Sequence, residues 1–234
     1  MNSINIQALQ ILLGFGLRGA RISPLVKMRI MDIDKYKNLF QEVDYRLTEI
    51  VEEFSATRAV LQNDQRFIKT RVLLAFSFLE VLCNLYNSYF NLGLANRALI
   101  EKWLQKYCLT YRNATYKTHP YMNMLTEAHL YKFRNAITHA FGLPEPENGI
   151  SIATPNGSES SDSIKKMDEG FKKVGHTVAF ISADSLLQLF IDGFTLMHPE
   201  IFKDDTQANQ AGLEGLGRIV KEFGRRGARG IPLS

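Results

Sequence analysis

The sequence predicts a mainly α fold carrying one small β element. Two observations predict it. Apolar residues recur at three- and four-residue spacing across most of residues 34–141. A turn-rich polar stretch, "PEPENGISIATPNGSESSDS", then breaks that rhythm once. Within and after it, "ISIA" and "HTVAFIS" read as short strands that pair as a β-hairpin across a long mobile loop.

The elements follow in order. Residues 1–33 form an N-terminal extension, because Gly14, Gly16, Gly19 and Pro24 break any helix near Ile6–Phe15. A first helix starts at Asp34, with Leu39, Phe40, Val43, Leu47, Ile50, Val51 and Phe54 on its apolar side, and runs toward Leu61. A second spans about Arg66 to Phe90 and ends near Gly93. A third covers about Ala95 to Tyr111, with Leu99, Ile100, Trp103, Leu104 and Tyr107 on one side. A fourth starts near Pro120, a good first-turn residue, and ends at Phe141. The hairpin and its loop occupy about 148–181, with Ile164–Val174 unassigned. Ser182 caps a last helix from Ala183 to about Met197, which His198 and Pro199 close. The main domain is therefore 34–198, and 199–234 form a basic Gly-rich tail. No internal repeat is present.

Composition narrows the function classes. At 234 residues, 45% hydrophobic and 22% charged, the chain is long enough for one soluble globular domain with appendages. Cys83 and Cys108 both fall at apolar helical positions and read as buried free thiols. No CxxC pair is present, which argues against a cysteine-based zinc site and fits a reducing cytoplasm. No Lys or Arg precedes Arg18, so the amino terminus does not read as a signal peptide. The apolar run Val72–Phe90 approaches membrane length, but Glu80, Asn84 and Asn87 interrupt it. A buried helix, a cytoplasmic location and no membrane partner are the expectations. Residues 212–234 hold +3 of the net charge of +4. Such a tail either clings to phosphates or is a solvated end. No GxxxxGK[ST] loop or GxSxG elbow is present, so nucleoside-triphosphate and serine-hydrolase chemistry lack support.

Two helices carry polar residues that a core does not need. On the second, Ser77, Glu80, Asn84, Asn87 and Asn91 step by three and four, which places them on one stripe. An ionised Glu on a central helix needs a partner, and Arg134 on the fourth helix offers a two-toothed grip. The fourth helix ends "LYKFRNAITHAFGLP". Leu130, Phe133, Ile137 and Phe141 share its apolar face, with Arg134 at the edge and Asn135 on the far side near His139. In a regular helix, His139 lies about 140° around from Arg134. Either the helix breaks near Asn135, or the two residues meet across a two-fold dimer. Plainer roles stay open: Glu80 and Arg134 as a structural ion pair, Asn135 as a cap, His139 as a surface residue at a helix end. Tyr116, Tyr121 and Tyr131 are candidates to stack bases, although aromatic residues at helical spacing more often fill cores. The other histidines form no metal-site spacing.

A four-helix core whose last helix carries Arg134-Asn135 and, after four intervening residues, His139, with Gly142 close behind, resembles the HEPN superfamily. The resemblance covers about Asp34–Gly142. It implies a HEPN-like four-helix bundle, elaborated by the hairpin insertion and the additional C-terminal helix. It implies a metal-independent endoribonuclease that works as a homodimer with a joint cleft and leaves 2′,3′-cyclic phosphate ends. Bacterial defence or toxin systems are the usual setting, with an antitoxin or regulatory protein as partner. In that reading His139 is the general acid or base and Arg134 holds the scissile phosphate. Asn135 orients the phosphate or the imidazole. Glu80 positions Arg134 or raises the basicity of His139. No metal and no cofactor are implied. Other HEPN-like proteins are non-catalytic modules that bind RNA, a nucleotide or a protein partner, and that alternative stands beside the first.

Overall fold

A computed structural model describes residues 47–59, 67–155 and 161–201. The expectations for the N-terminal extension, the start of the first helix at Asp34, the loop tip at 156–160 and the tail beyond 201 lie outside the described residues.

The described chain is mainly α, with one two-stranded sheet. Helix α1 covers residues 47–59, α2 is Ile68–Tyr89, and α3 is Asn96–Trp103, continued by a π-helical turn over Leu104–Cys108. Then come α4, Ala114–Thr118, and α5, Glu127–Ala140. Strand β1 is Ile150–Ala153, α6 is Ser161–Lys173, β2 is Thr177–Phe180, and α7 is Ala183–Ile201.

Helix α2 is the centre of the packing and lies against α3, α5 and α7. Its buried side, including Val72, Phe76, Leu79, Leu82 and Tyr86, follows the helical repeat. Phe76 meets Phe133 of α5 edge-on, at 5.3 Å between centroids, and Phe190 of α7 at 5.8 Å. These three rings join three helices, and edge-on contact suits the ring quadrupoles. Leu47, Val51 and Phe54 give α1 the same buried stripe. Gly193 lets α7 come close to α3: an added Cβ there would stand 2.8 Å from the Trp103 ring.

The sheet differs from the expected hairpin. Strands β1 and β2 pair in parallel, with Ile150 opposite Thr177 and Ala153 opposite Phe180. The reason lies between them. Residues 161–173 form a helix rather than a loop, and a helical crossover returns the chain to the starting end of the sheet. The fourth helix also starts later than expected. Pro120 precedes a short 3-10 turn at Met122–Met124, and α5 begins after Thr126. The third helix stops short of Tyr111, and α4 is an unforeseen element. Pro199 does not end α7. It sits in the last turn, where the missing N–H gives up one ladder bond and the helix ends two residues later, at Ile201. Among the described residues, no helix is long and apolar enough to cross a membrane.

Candidate functional site

Helix α5 carries the residues that the sequence singles out, and its first turn is firmly anchored. Thr126 and His129 close a reciprocal cap: the Thr126 hydroxyl accepts from the His129 backbone N–H, and His129 Nδ1 accepts from the Thr126 backbone N–H at 3.0 Å. His129 Nε2 lies 2.9 Å from the Glu147 carbonyl oxygen. With Nδ1 accepting, Nε2 carries the proton and donates to that carbonyl. The ring is thus held neutral, and burial, then the charge of Lys132, pushes its pKa below the ordinary histidine value. Lys132 also pairs with the Glu147 carboxylate. Together these contacts tie the start of α5 to the segment that leads into β1.

One and two turns further on, Leu130, Phe133 and Ile137 point inward and fix the rotation of the helix. Arg134 therefore falls at the edge of the core, against α2. Its Nε donates to Glu80 Oε1 at 2.7 Å, and Nη2 donates to the same oxygen. Nη1 donates to Asn135 Oδ1 at 2.9 Å. The guanidinium is buried, with its side chain 9% exposed, whereas the Glu80 side chain is 39% exposed. Water reaches the carboxylate, so the pair avoids the full desolvation cost of a buried ion pair.

The structure brings Glu80, Arg134 and Asn135 together and leaves His139 apart. Helix α5 runs unbroken through Asn135 to Ala140, so a break there does not bring the two residues together. His139 is exposed on the solvent side of the last turn. Asn135 lies one turn before it and is the nearest link in sequence between His139 and the Arg134 cluster. Glu80 touches Arg134, and no contact joins it to His139. The rest of the polar stripe on α2 is spent elsewhere. Ser77 donates to the Leu73 carbonyl of its own helix, and the Asn87 side-chain oxygen accepts from the Leu94 backbone N–H. Asn84 is exposed.

Sequence reasoning missed the part played by His129, because Thr-x-x-His is not the usual Ser/Thr-x-x-Glu form of the capping box. It also gave no role to Thr138, whose hydroxyl donates to the Arg134 carbonyl at 2.7 Å. Among the described residues, no group of three or more His, Cys, Asp or Glu side chains could hold a metal ion. Chemically, the cluster offers a fixed cation, a side-chain amide and, on the same helix, an exposed imidazole. In comparisons with protein-family models, curated proteins and solved structures, the chain matches none.

Proposed function

We propose that this chain is a HEPN-type, metal-independent endoribonuclease whose site is completed by two copies of the chain. The observation that carries the reading is the Glu80–Arg134–Asn135 cluster at the edge of α5, with an exposed His139 on the same unbroken helix. In one copy the cation and the imidazole diverge. A two-fold axis beside α5 would bring His139 of one copy to Arg134 of the other.

The chemistry follows from the residue types. RNA supplies its own nucleophile, the 2′-hydroxyl. A neutral His139 takes the proton from that hydroxyl, whose oxygen attacks the adjacent phosphorus. The bond from phosphorus to the 5′-oxygen breaks, and a protonated imidazole gives the leaving oxygen its proton. The imidazole protonated in the first transfer serves as the acid of the second. Arg134 neutralises charge that grows on the phosphate oxygens. Glu80 is a positioning residue that aims the guanidinium, and the Asn135 amide group would donate to phosphate. The products are a 2′,3′-cyclic phosphate and a 5′-hydroxyl. A nuclease of this kind suits a defence or toxin role and calls for a neutralising partner.

The burial of Arg134 favours a second reading. A guanidinium held by Glu80 and Asn135 has little surface left for phosphate. A non-catalytic HEPN-like module that binds RNA, a nucleotide or a protein partner would keep this cluster as a structural tie. One experiment separates the two readings: incubation of mixed-sequence RNA with the purified protein in EDTA, beside His139→Ala. The nuclease reading expects cyclic-phosphate ends from the parent and none from the variant. A folded parent that leaves RNA intact, or a variant that cuts as well as the parent, removes it.

A further inference from the structure

Helix α6 lies between the two strands in sequence and is covered along one line only. Ile164 is half-buried, and Asp168 is 9% exposed and holds Lys172 at 2.7 Å. The Phe171 ring leans on Phe180 of β2, at 6.2 Å between centroids. Every residue of the helix except Ile164 and Asp168 is exposed.

At about 100° per residue, Ser163, Met167, Gly170 and Val174 form a second line, roughly 100° round from the covered one. Met167 is 38% exposed, and Val174, in the turn that closes the helix, is 67% exposed. A helix that packed only on its own chain would carry polar side chains here. Gly170 is a second oddity. Glycine inside a helix is less favourable than alanine and is kept where something must come close. An added Cβ at Gly170 would meet nothing within 4 Å, so its own chain does not use that room. A third line, roughly 100° beyond the second, reads Asp162, Lys166, Glu169, Lys173, and all four are exposed. Its charges alternate in sign.

We infer that α6 is a self-docking surface, through which two copies of the chain pair antiparallel about a two-fold axis at residues 168–169. In that register Met167 lies over Gly170 of the second copy, and Val174 lies over its Ser163. Large residues thus sit over small ones at both ends of the seam. A parallel pair would set Gly170 beside Gly170 and leave a hollow between them. The charged line meets its own copy running the other way. Lys166 then faces Glu169 and Asp162 faces Lys173, each pair made twice. The occupant is a second copy because one surface supplies both the knobs and the hollows, and both signs of charge. The surface lies outside Asp34–Gly142 and does not rest on the nuclease reading, whose axis runs beside α5.

The test is sedimentation velocity on the full chain. A seam of this length is a small, transient contact, so the range runs from about 1 to 100 μM. The parent's mass rises with concentration. Gly170→Leu fills the hollow, and Lys166→Glu and Glu169→Lys each set like charges opposite one another. Each weakens association by about tenfold or more. The double variant Lys166→Glu/Glu169→Lys restores opposite signs, and its association returns to within about threefold of the parent's. Leucine raises helix propensity, so the loss in Gly170→Leu is not one of folding. Circular dichroism spectra matching the parent's show that the charge variants are folded. Three results overturn the inference: a parent that is monomeric throughout, single variants that associate as the parent does, or a double variant no better than the single ones.

Discussion

The Glu80–Arg134 pair is unequal in its exposure, and stability should register the inequality. Removing Glu80 strands a guanidinium whose side chain is only 9% exposed. Its Nε and one Nη2 hydrogen lose their acceptor, and only Asn135 remains. Breaking a buried pair from one side costs about 3–5 kcal/mol. The opening toward Glu80, 39% exposed, lets some water in, so we expect the low end, about 3 kcal/mol, for Glu80→Ala. Removing Arg134 leaves a carboxylate that water already reaches. Arg134→Met keeps an apolar stem against the core, so its cost is about 1 kcal/mol. Urea unfolding followed by circular dichroism tests this. With a slope of about 3 kcal/mol per molar, the midpoint falls by roughly 1 M for Glu80→Ala and by a third of that for Arg134→Met. Equal shifts, or a larger shift for Arg134→Met, would refute the burial argument.

Two further outcomes follow from the packing around this site. His129, 2% exposed, has its pKa pushed down by burial and by Lys132, so the unfolded chain takes up a proton that the folded chain refuses. Its contribution is complete above the unfolded value of about 6.5 and is lost as pH falls through the lower folded value. The drop in urea midpoint between pH 7.5 and 5.5 should therefore shrink in His129→Gln, and an unchanged drop would show that His129 does not supply it. Gly193→Ala gains about 1 kcal/mol of helix propensity, but its Cβ meets the Trp103 ring at 2.8 Å and Cys108 Sγ at 3.0 Å. Trp103 is fully buried and its indole N–H donates to Met197 Sδ, so overpacking of about 1–3 kcal/mol wins. A net loss near 1 kcal/mol is expected, and an alanine variant as stable as the parent would show that the ring yields.

Much of the helical frame was legible because its apolar residues repeat. Leu99, Ile100, Trp103, Leu104 and Tyr107 marked one face, and all five are buried. Ser182 announced the start of α7, and its hydroxyl accepts the Ser185 backbone N–H at 3.0 Å. The Glu80–Arg134 contact was legible for a physical reason: a carboxylate on the central helix needs a cation, and Arg134 stood at the edge of a facing apolar stripe. What escaped was short, atypical or hidden in composition. Helix α4 is one turn long, too short for periodicity, and is started by Asn113, whose side-chain oxygen accepts from Tyr116. The π turn has no residue signature. It closes with the Leu109 N–H reaching the Leu104 carbonyl at 2.8 Å. Helix α6 did carry a signal, since Ile164, Met167 and Phe171 step by three and four. Its Ser-rich approach disguised it, and the parallel pairing was lost with it. The proposed joining of His139 with Arg134 across two copies is a different case, because the periodicity of one helix separates the two residues, and one chain contains no second copy.

That last point is open to direct measurement. Arg134→Met and His139→Ala chains, each inactive alone, are mixed, and RNA cleavage is followed in EDTA. If Arg134 of one copy works with His139 of the other, mixed dimers hold one intact pair, and activity returns to a sizeable fraction of the parent's. If both variants are folded and exchange subunits but the mixture stays inactive beside an active parent, the site does not lie across two copies.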